Sequence, residues 1–182
     1  IVPWHFLRER QGVVLKWAPI SDTGEFLLDE FERMLGPKTK MVAITHMSNA
    51  LGTVVPVKEM IRIAHERGIK VLVDGSQAAV HLPVDVRDLD ADFYVMTGHK
   101  LYGPTGIGVL YGRASLLNAM PPWQGGGDMI LAVSFDKTVY NGLPYKFEAG
   151  TPDIAGAIGL GAAVDYLEAL GMVRIAAAEH AL

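Results

Sequence analysis

Two kinds of apolar segment follow one another along this chain, and together they predict an alternation of β-strands and α-helices. The short segments are bounded by polar or glycine residues and have the length of buried strands; they cover residues 13–17, 41–45, 71–73, 93–96 and 106–111. The longer segments predict helices and cover residues 26–35, 56–68, 114–120 and 152–171. Strands that alternate with helices are typical of an α/β domain with a mostly parallel sheet.

The helix predicted from Pro56 onward has the clearest periodicity. Its apolar residues recur at the i, i+3, i+4, i+7 spacing of one helix face; they are Val57, Met60, Ile61 and Ala64. Gly68 follows as a C-terminal cap. A helix of this kind between two strand segments completes a parallel βαβ unit.

The last two strand segments, 93–96 and 106–111, are separated only by a short turn at Gly103-Pro104. A parallel crossover needs about a dozen residues or more, so this spacing predicts one antiparallel strand in the sheet. Residues 123–144 are rich in glycine and are predicted to be irregular. The glycine triplet at 125–127 indicates either a flexible turn or a loop that covers a substrate.

Composition excludes several classes of function. The chain has 182 residues, enough for one domain with a sizeable core, and a net charge of −4 without a basic patch, which argues against nucleic acid as a partner. Its longest uncharged apolar stretch, residues 154–164, is shorter than the roughly 20 residues that span a bilayer, so no membrane partner is expected. The absence of cysteine fits a reducing compartment, and we expect a cytoplasmic protein.

The ends of the sequence predict that it is part of a longer protein. It opens at Ile1 without an initiator methionine, and it stops inside an alanine-rich helical pattern at residues 173–182 that has no stop signal. Any function inferred from these residues therefore applies to the longer parent protein.

Lys100 is the residue with the clearest chemical meaning. It follows the strand segment 93–96, among small and polar residues, and Asp74 stands directly after the strand segment 71–73. Ligands of open α/β sheets bind at the carboxyl ends of the strands. A lysine that forms a Schiff base with an aldehyde, and a carboxylate that keeps a pyridine nitrogen protonated, are what pyridoxal phosphate requires.

Other polar residues lie at the same predicted edge. Gln77 can donate a hydrogen bond to the phenolic oxygen of that cofactor, and Thr97 and His99 can donate to its phosphate. Tyr102 could contact the phosphate or serve only in packing. Asn49 follows a third strand end. Any one of these residues could be an ordinary loop or capping residue, but together they favour a site.

Metal binding is a weaker interpretation. The six histidines show neither an H-x₃-H pair nor an H-E-x-x-H run. Asp88, Asp90 and Asp92 imitate the start of a calcium loop, but Phe93 stands where that loop requires glycine and His99 where it requires glutamate. We interpret the three aspartates as caps and surface residues.

Five runs carry a resemblance to a known family, in the family's order and spacing; they are 47–53, 71–77, 92–111, 121–129 and 147–152. The chain resembles the fold-type I pyridoxal-phosphate enzymes, and within them the class V aminotransferases. It is most similar to the Suf-type cysteine desulfurases, also called selenocysteine lyases. The resemblance implies a three-layer domain with helices on both faces of the sheet. Residues 1–182 would form most of the large cofactor-binding domain.

The resemblance also implies roles for residues. Lys100 would hold pyridoxal phosphate covalently and move the proton at the substrate's α-carbon. Asp74 would pair with the pyridine nitrogen, and Gln77 would contact the phenolic oxygen. Thr97 and His99 would bind the phosphate.

Two further residues are implied by the same resemblance. Asn49 would touch the phenolic oxygen or the substrate carboxylate. Thr151 would reach the phosphate bound to the neighbouring subunit, so that a complete site needs a homodimer. A phosphate loop and a ring-stacking histidine are expected before Ile1. A nucleophilic cysteine, a substrate-binding arginine and a small domain are expected after Leu182.

The implied reaction converts L-cysteine into L-alanine and keeps the sulfur as an enzyme persulfide for iron–sulfur cluster assembly, with a sulfur-acceptor protein as partner. Selenocysteine is a possible second substrate. These residues alone, without a cysteine, should be inactive. Two alternatives stay open: another class V enzyme of the aminotransferase, kynureninase or epimerase type, and a non-enzymatic domain that kept the fold.

Overall fold

The computed structural model describes all 182 residues, which form seven α-helices and six β-strands. The strands are β1 (Met41–Thr45), β2 (Lys70–Asp74), β3 (Phe93–Thr97), β4 (Gly108–Gly112), β5 (Ile130–Val133) and β6 (Thr138–Tyr140). The helices are α1 (Val2–Gln11), α2 (Leu28–Met34), α3 (Val57–His65), α4 (Ala78–His81), α5 (Ala114–Ala119), α6 (Ile154–Leu170) and α7 (Met172–His180). Short 3₁₀ turns cover Gly98–Leu101 and Tyr145–Phe147.

The main sheet has the strand order β1-β2-β3-β4. β1, β2 and β3 are parallel, and β4 runs antiparallel to β3. The mostly parallel α/β sheet with one antiparallel strand is therefore confirmed. Its register places Thr45 of β1 beside Asp74 of β2, and Asp74 beside Val95 of β3. Three carboxyl ends consequently meet at one edge of the sheet.

The core lies on one face of this sheet. Strand residues such as Val71, Val73 and Tyr94 are fully buried there against the apolar face of α3. The predicted periodicity of that helix is confirmed, because Met60 and Ala64 are also fully buried. Burial of each large aliphatic side chain contributes roughly 1.5–3 kcal/mol. This packing holds β2 and β3 in place.

The other face of the sheet is less covered. Ala43 and Leu110, which point to that side, are exposed. A second, smaller core cluster joins α4, the 3₁₀ turn after β3, and α6; its buried members are Ala79, Val80, Leu101, Leu160 and Leu167. Met172 and Ile175 of α7 pack against this cluster.

One prediction for the N-terminal part was wrong, and one helix there was not predicted. Residues 13–17 form no strand, and Val14 and Trp17 are largely exposed because no neighbouring strand hydrogen-bonds to them. Helix α1 was not predicted, since it has no buried residue and therefore no apolar face to reveal it. Local apolar content alone does not make a strand, because a strand needs a partner.

Later segments also differ from the prediction. The glycine-rich region is not irregular throughout, since β5 and β6 form an exposed antiparallel hairpin there. The predicted long helix begins at Ile154, where the Asp153 side chain accepts a hydrogen bond from Gly156 N as an N-cap, and it ends before Gly171. No single helix is long and apolar enough to cross a membrane; α6 and α7 satisfy that test only as a pair bent by 68°.

Candidate active site

The carboxyl edge of the sheet collects most of the polar residues expected to be functional. Asp74 is the last residue of β2, and Thr97 is the last residue of the adjacent strand β3. The 3₁₀ turn that contains His99 and Lys100 follows directly. The structure thus brings a carboxylate and a lysine to the ends of two neighbouring parallel strands.

The backbone at Asp74 is held from both sides. Its carbonyl oxygen accepts from His46 N at 2.8 Å, and the next amide, Gly75 N, donates to Val95 O at 2.9 Å. The exposed carboxylate accepts from Ser76 N at 2.9 Å. Asp74 takes part in none of the ion pairs of the structure, so its carboxylate has no cationic partner.

Gly75 lies directly on the buried ring of Tyr94. A Cβ atom at position 75 would lie 2.0 Å from Cε1 and Cζ of that ring, far inside any real contact. The Tyr94 hydroxyl is hydrogen-bonded to His46 Nδ1 at 2.9 Å. Any side chain at position 75 would therefore displace either Tyr94 or the Asp74 turn.

The pair beneath Asp74 is uncharged near neutral pH. Burial raises the pKa of the Tyr94 hydroxyl well above its usual value, and the negative charge of Asp74 raises it further. Burial lowers the pKa of His46. The hydrogen bond between Tyr94 and His46 thus joins two neutral groups, and the only charge at this point of the edge belongs to Asp74.

The turn that carries Lys100 is closed by backbone hydrogen bonds. Gly98 N donates to Ile107 O at 2.8 Å, and Gly103 N donates to Gly98 O at 3.0 Å. Leu101 is buried and anchors the turn in the second core cluster. Lys100 itself is half-buried and takes part in none of the ion pairs of the structure. Its backbone is therefore held by the turn, and its amine has no counter-ion.

Helix α6 packs directly onto this turn. A Cβ atom at Gly159 would lie 2.7 Å from Cγ of Pro104, and one at Gly103 would lie 3.1 Å from Cδ1 of Leu160. Glycines at positions 103 and 159 allow the helix and the turn to approach closely. The position of Lys100 thus depends on α6 as well as on β3.

Thr97 and His99 lie on either side of the start of the turn. The Thr97 hydroxyl is within hydrogen-bond distance of His99 Nδ1, at 2.9 Å. The His99 ring is exposed at the edge. One hydroxyl and one imidazole thus flank the lysine as a small polar pair that can contact an anion.

Gln77 has a partner that the sequence did not suggest. Its Nε2 atom lies 2.9 Å from His81 Nε2, and His81 Nδ1 lies 3.0 Å from both carboxylate oxygens of Glu179. His81 follows Gln77 by four residues, a spacing that could have indicated the first contact. Glu179 lies 98 residues after His81, so no local sequence pattern could have indicated the second contact.

The structure does not bring Asn49 and Thr151 into contact with these residues. Asn49 is exposed in the turn after β1, and Thr151 is exposed just before α6. The neighbouring Gly150 N donates to Gly127 O at 2.9 Å, so the Thr151 segment lies against the glycine triplet. Within this chain, no hydrogen bond links Thr151 to the group around Lys100.

The interpretation of Asp92 as a surface residue was wrong, whereas Asp88 and Asp90 are exposed. Asp92 is only 1% exposed, at the opposite end of β3 from Lys100. It accepts hydrogen bonds from Val71 N and His65 Nε2, each at 2.8 Å. A buried carboxylate needs such partners, and these depend on tertiary contacts.

The chain is similar to known proteins both in sequence and in fold. The sequence profile of the family described as aminotransferase class-V matches residues 1–182. A protein of Mycolicibacterium paratuberculosis named probable cysteine desulfurase is 55% identical over 182 residues, which are 100% of this chain and 27% of that protein.

Two solved structures are similar to the chain over almost its whole length. The cysteine desulfurase CsdA of Escherichia coli matches with a TM-score of 0.92 and 44% identity, over 96% of this chain and 44% of that one. A variant of C-DES with glycine covalently linked to its PLP (pyridoxal phosphate) cofactor matches with a TM-score of 0.84 and 27% identity, over 93% of this chain and 46% of that one. The chain therefore spans less than half the length of each of these proteins.

Proposed function

Because the chain belongs to the class-V aminotransferase family, we propose that the full-length protein is a pyridoxal-phosphate-dependent cysteine desulfurase. The curated relative and the CsdA structure carry that activity in their names. The observation that supports the proposal most directly is the pair formed by the unpaired amine of Lys100 and the unpaired carboxylate of Asp74 at two adjacent strand ends.

The residues at this edge fit the cofactor. Asp74 carries a negative charge without a protein cation and can face a protonated ring nitrogen. Position 75, next to Asp74, has room only for glycine, because a Cβ atom there would collide with the ring of Tyr94. Thr97 and His99 supply donors for a phosphate, and Gln77 supplies an amide for the phenolic oxygen.

Each group has a task in the proposed reaction. Pyridoxal phosphate supplies, when bound, an electron sink for negative charge at the substrate's α-carbon. Lys100 would hold the cofactor through Nζ and move the proton at that carbon, because the hydrogen-bonded turn keeps its backbone at the carboxyl edge of the sheet. Asp74 would keep the ring nitrogen protonated. Asn49 would contact the phenolic oxygen or the substrate carboxylate.

The sulfur needs an acceptor outside these residues. The proposed reaction converts L-cysteine and an enzyme thiol into L-alanine and an enzyme persulfide, which a sulfur-acceptor protein would then receive. The chain contains no cysteine, so the thiol would come from the rest of the full-length protein, and these 182 residues alone should not catalyse the reaction. The same chemistry would apply to selenocysteine.

A homodimer would complete the site. Thr151 is exposed. The family resemblance assigns its hydroxyl to the phosphate site of a second subunit, and its exposure leaves it free for that contact. This assignment gives an exposed residue a defined contact that one chain alone does not supply.

The test uses the full-length protein loaded with pyridoxal phosphate. Borohydride reduction followed by peptide mass spectrometry should find the cofactor attached to Lys100. The Lys100→Ala variant should lose this adduct and the formation of alanine from cysteine. Lys58→Ala is the matched control, because Lys58 lies on α3 and pairs with exposed Asp88. This variant should keep both the adduct and the formation of alanine. An adduct on another lysine, or alanine formation that survives Lys100→Ala, would contradict the proposal.

A further inference from the structure

Three side chains form a hydrogen-bonded relay from the end of α7 to the candidate active site. Glu179 contacts His81 Nδ1 through both carboxylate oxygens at 3.0 Å, and His81 Nε2 lies 2.9 Å from Gln77 Nε2. We call these residues the Gln77–His81–Glu179 relay. Gln77 lies three residues after Asp74, in the segment between β2 and α4.

Tertiary packing holds the two ends of the relay together. α4 has only four residues, and its Ala79 and Val80 are buried in the second core cluster. Met172 and Ile175 of α7 pack against the same cluster. The side chains of His81 and Glu179 are partly exposed, at 29% and 41%. Packing therefore fixes the helices, and the hydrogen bonds fix the side chains between them.

The proton positions in the relay follow from the groups involved. A carboxylate only accepts hydrogen bonds, so His81 must donate from Nδ1 to Glu179. The Gln77 amide nitrogen only donates, so His81 Nε2, 2.9 Å away, must accept its N–H through the ring lone pair. If the Gln77 amide rotated by half a turn, its oxygen would replace this N–H and face the lone pair of His81. Gln77 thus keeps its second N–H and its oxygen in fixed directions.

We propose that His81 and Glu179 are positioning residues that set the orientation of the Gln77 amide for the bound cofactor. The inference rests on the proposed function, since Gln77 has a task at this edge only if a ligand with a phenolic oxygen binds there. It extends that function, because it makes the docking of α7 part of the site. In this arrangement His81 and Glu179 would act on the cofactor only through Gln77.

The experiment measures the absorption spectrum and the dissociation constant of pyridoxal phosphate in the full-length protein. Glu179→Ala should weaken binding about threefold to tenfold, the range expected for one lost hydrogen bond. It should also shift the absorption maximum in the same direction as Gln77→Ala. Glu168→Ala on α6 is the matched control, because Glu168 is exposed and pairs with no cation, and it should change neither quantity.

A double-mutant cycle separates positioning from general loosening of α7. In the Gln77→Ala background, Glu179→Ala should have no further effect, because the relay acts only through Gln77. Glu179→Gln retains an acceptor oxygen and should stay within about twofold of the wild type, a difference smaller than one hydrogen bond. This second variant preserves the packing of α7 if Glu179→Ala fails to fold.

The possible failures can be told apart. An unchanged spectrum and affinity in Glu179→Ala, an equal effect in the presence and absence of Gln77, or a Glu179→Gln variant as impaired as Glu179→Ala would each overturn the positioning role. A wild-type protein that binds no cofactor would overturn the proposed function and the relay together.

Discussion

The contact between Gly75 and Tyr94 gives the sharpest prediction for the stability of the site. In Gly75→Ala the new methyl group would lie 2.0 Å from two ring carbons of Tyr94 and 2.1 Å from its hydroxyl oxygen. Tyr94 is fully buried, so its ring can yield only by displacing packed neighbours and its bond to His46. Forcing a methyl group into a packed core costs about 1–3 kcal/mol. Loss of the bond to His46 adds about 0.5–1.5 kcal/mol.

The free energy of unfolding should therefore fall by about 1.5–4.5 kcal/mol, the combined cost of the overpacking and of the broken hydrogen bond. Urea denaturation of the full-length protein measures this quantity. Gly125→Ala is the matched control, since no atom lies within 4 Å of a Cβ there, and it should change stability by less than about 0.5 kcal/mol. The affinity for pyridoxal phosphate should also fall in Gly75→Ala, because Asp74 is the preceding residue.

A second background tests the cause. Tyr94→Leu removes the ring atoms that the new methyl group would meet. In that background Gly75→Ala should cost less than about 1 kcal/mol, because the two residues are in contact and their effects are not additive. If Gly75→Ala costs the same with Tyr94 and with Leu at position 94, the steric argument is refuted.

Three further predictions concern stability in the full-length protein, each measured by urea denaturation. Gly159→Ala should destabilise by about 1–3 kcal/mol, because it forces α6 away from the turn of Lys100, whereas Gly161→Ala has free space and should stabilise by about 0.5–1 kcal/mol; equal effects would contradict the contact. Asp92→Ala should cost about 1–3 kcal/mol by leaving the buried amide of Val71 unpaired, and exposed Asp88→Ala less than about 1 kcal/mol. The free energy of unfolding should decline as pH falls below about 6.5, because His46 then binds a proton in the unfolded chain but not in the folded one, where burial lowers its pKa. His46→Gln should make the free energy of unfolding less dependent on pH in this range. An unchanged pH dependence would contradict the role of His46.

The periodicity of α3 and the short turn before β4 could be interpreted locally, and both interpretations were confirmed. They succeeded because the spacing of apolar residues and the length of a connection directly limit what the backbone can form. The strand predicted at residues 13–17 failed because an apolar segment without a hydrogen-bonding neighbour remains irregular. The exposed hairpin of β5 and β6 was not predicted, because the many glycines of residues 123–144 favoured an irregular segment.

For the candidate site, the sequence by itself determined which polar side chains follow the strands, since residues that come just after parallel strands lie at the carboxyl edge of the sheet. Tertiary structure alone decided which atoms support those side chains. The fit of Gly75 over Tyr94, the burial of Asp92 and the link from Glu179 through His81 all join distant segments. Side-chain hydrogen bonds between such segments depend on distances that only the folded packing sets, so no local pattern could reveal them.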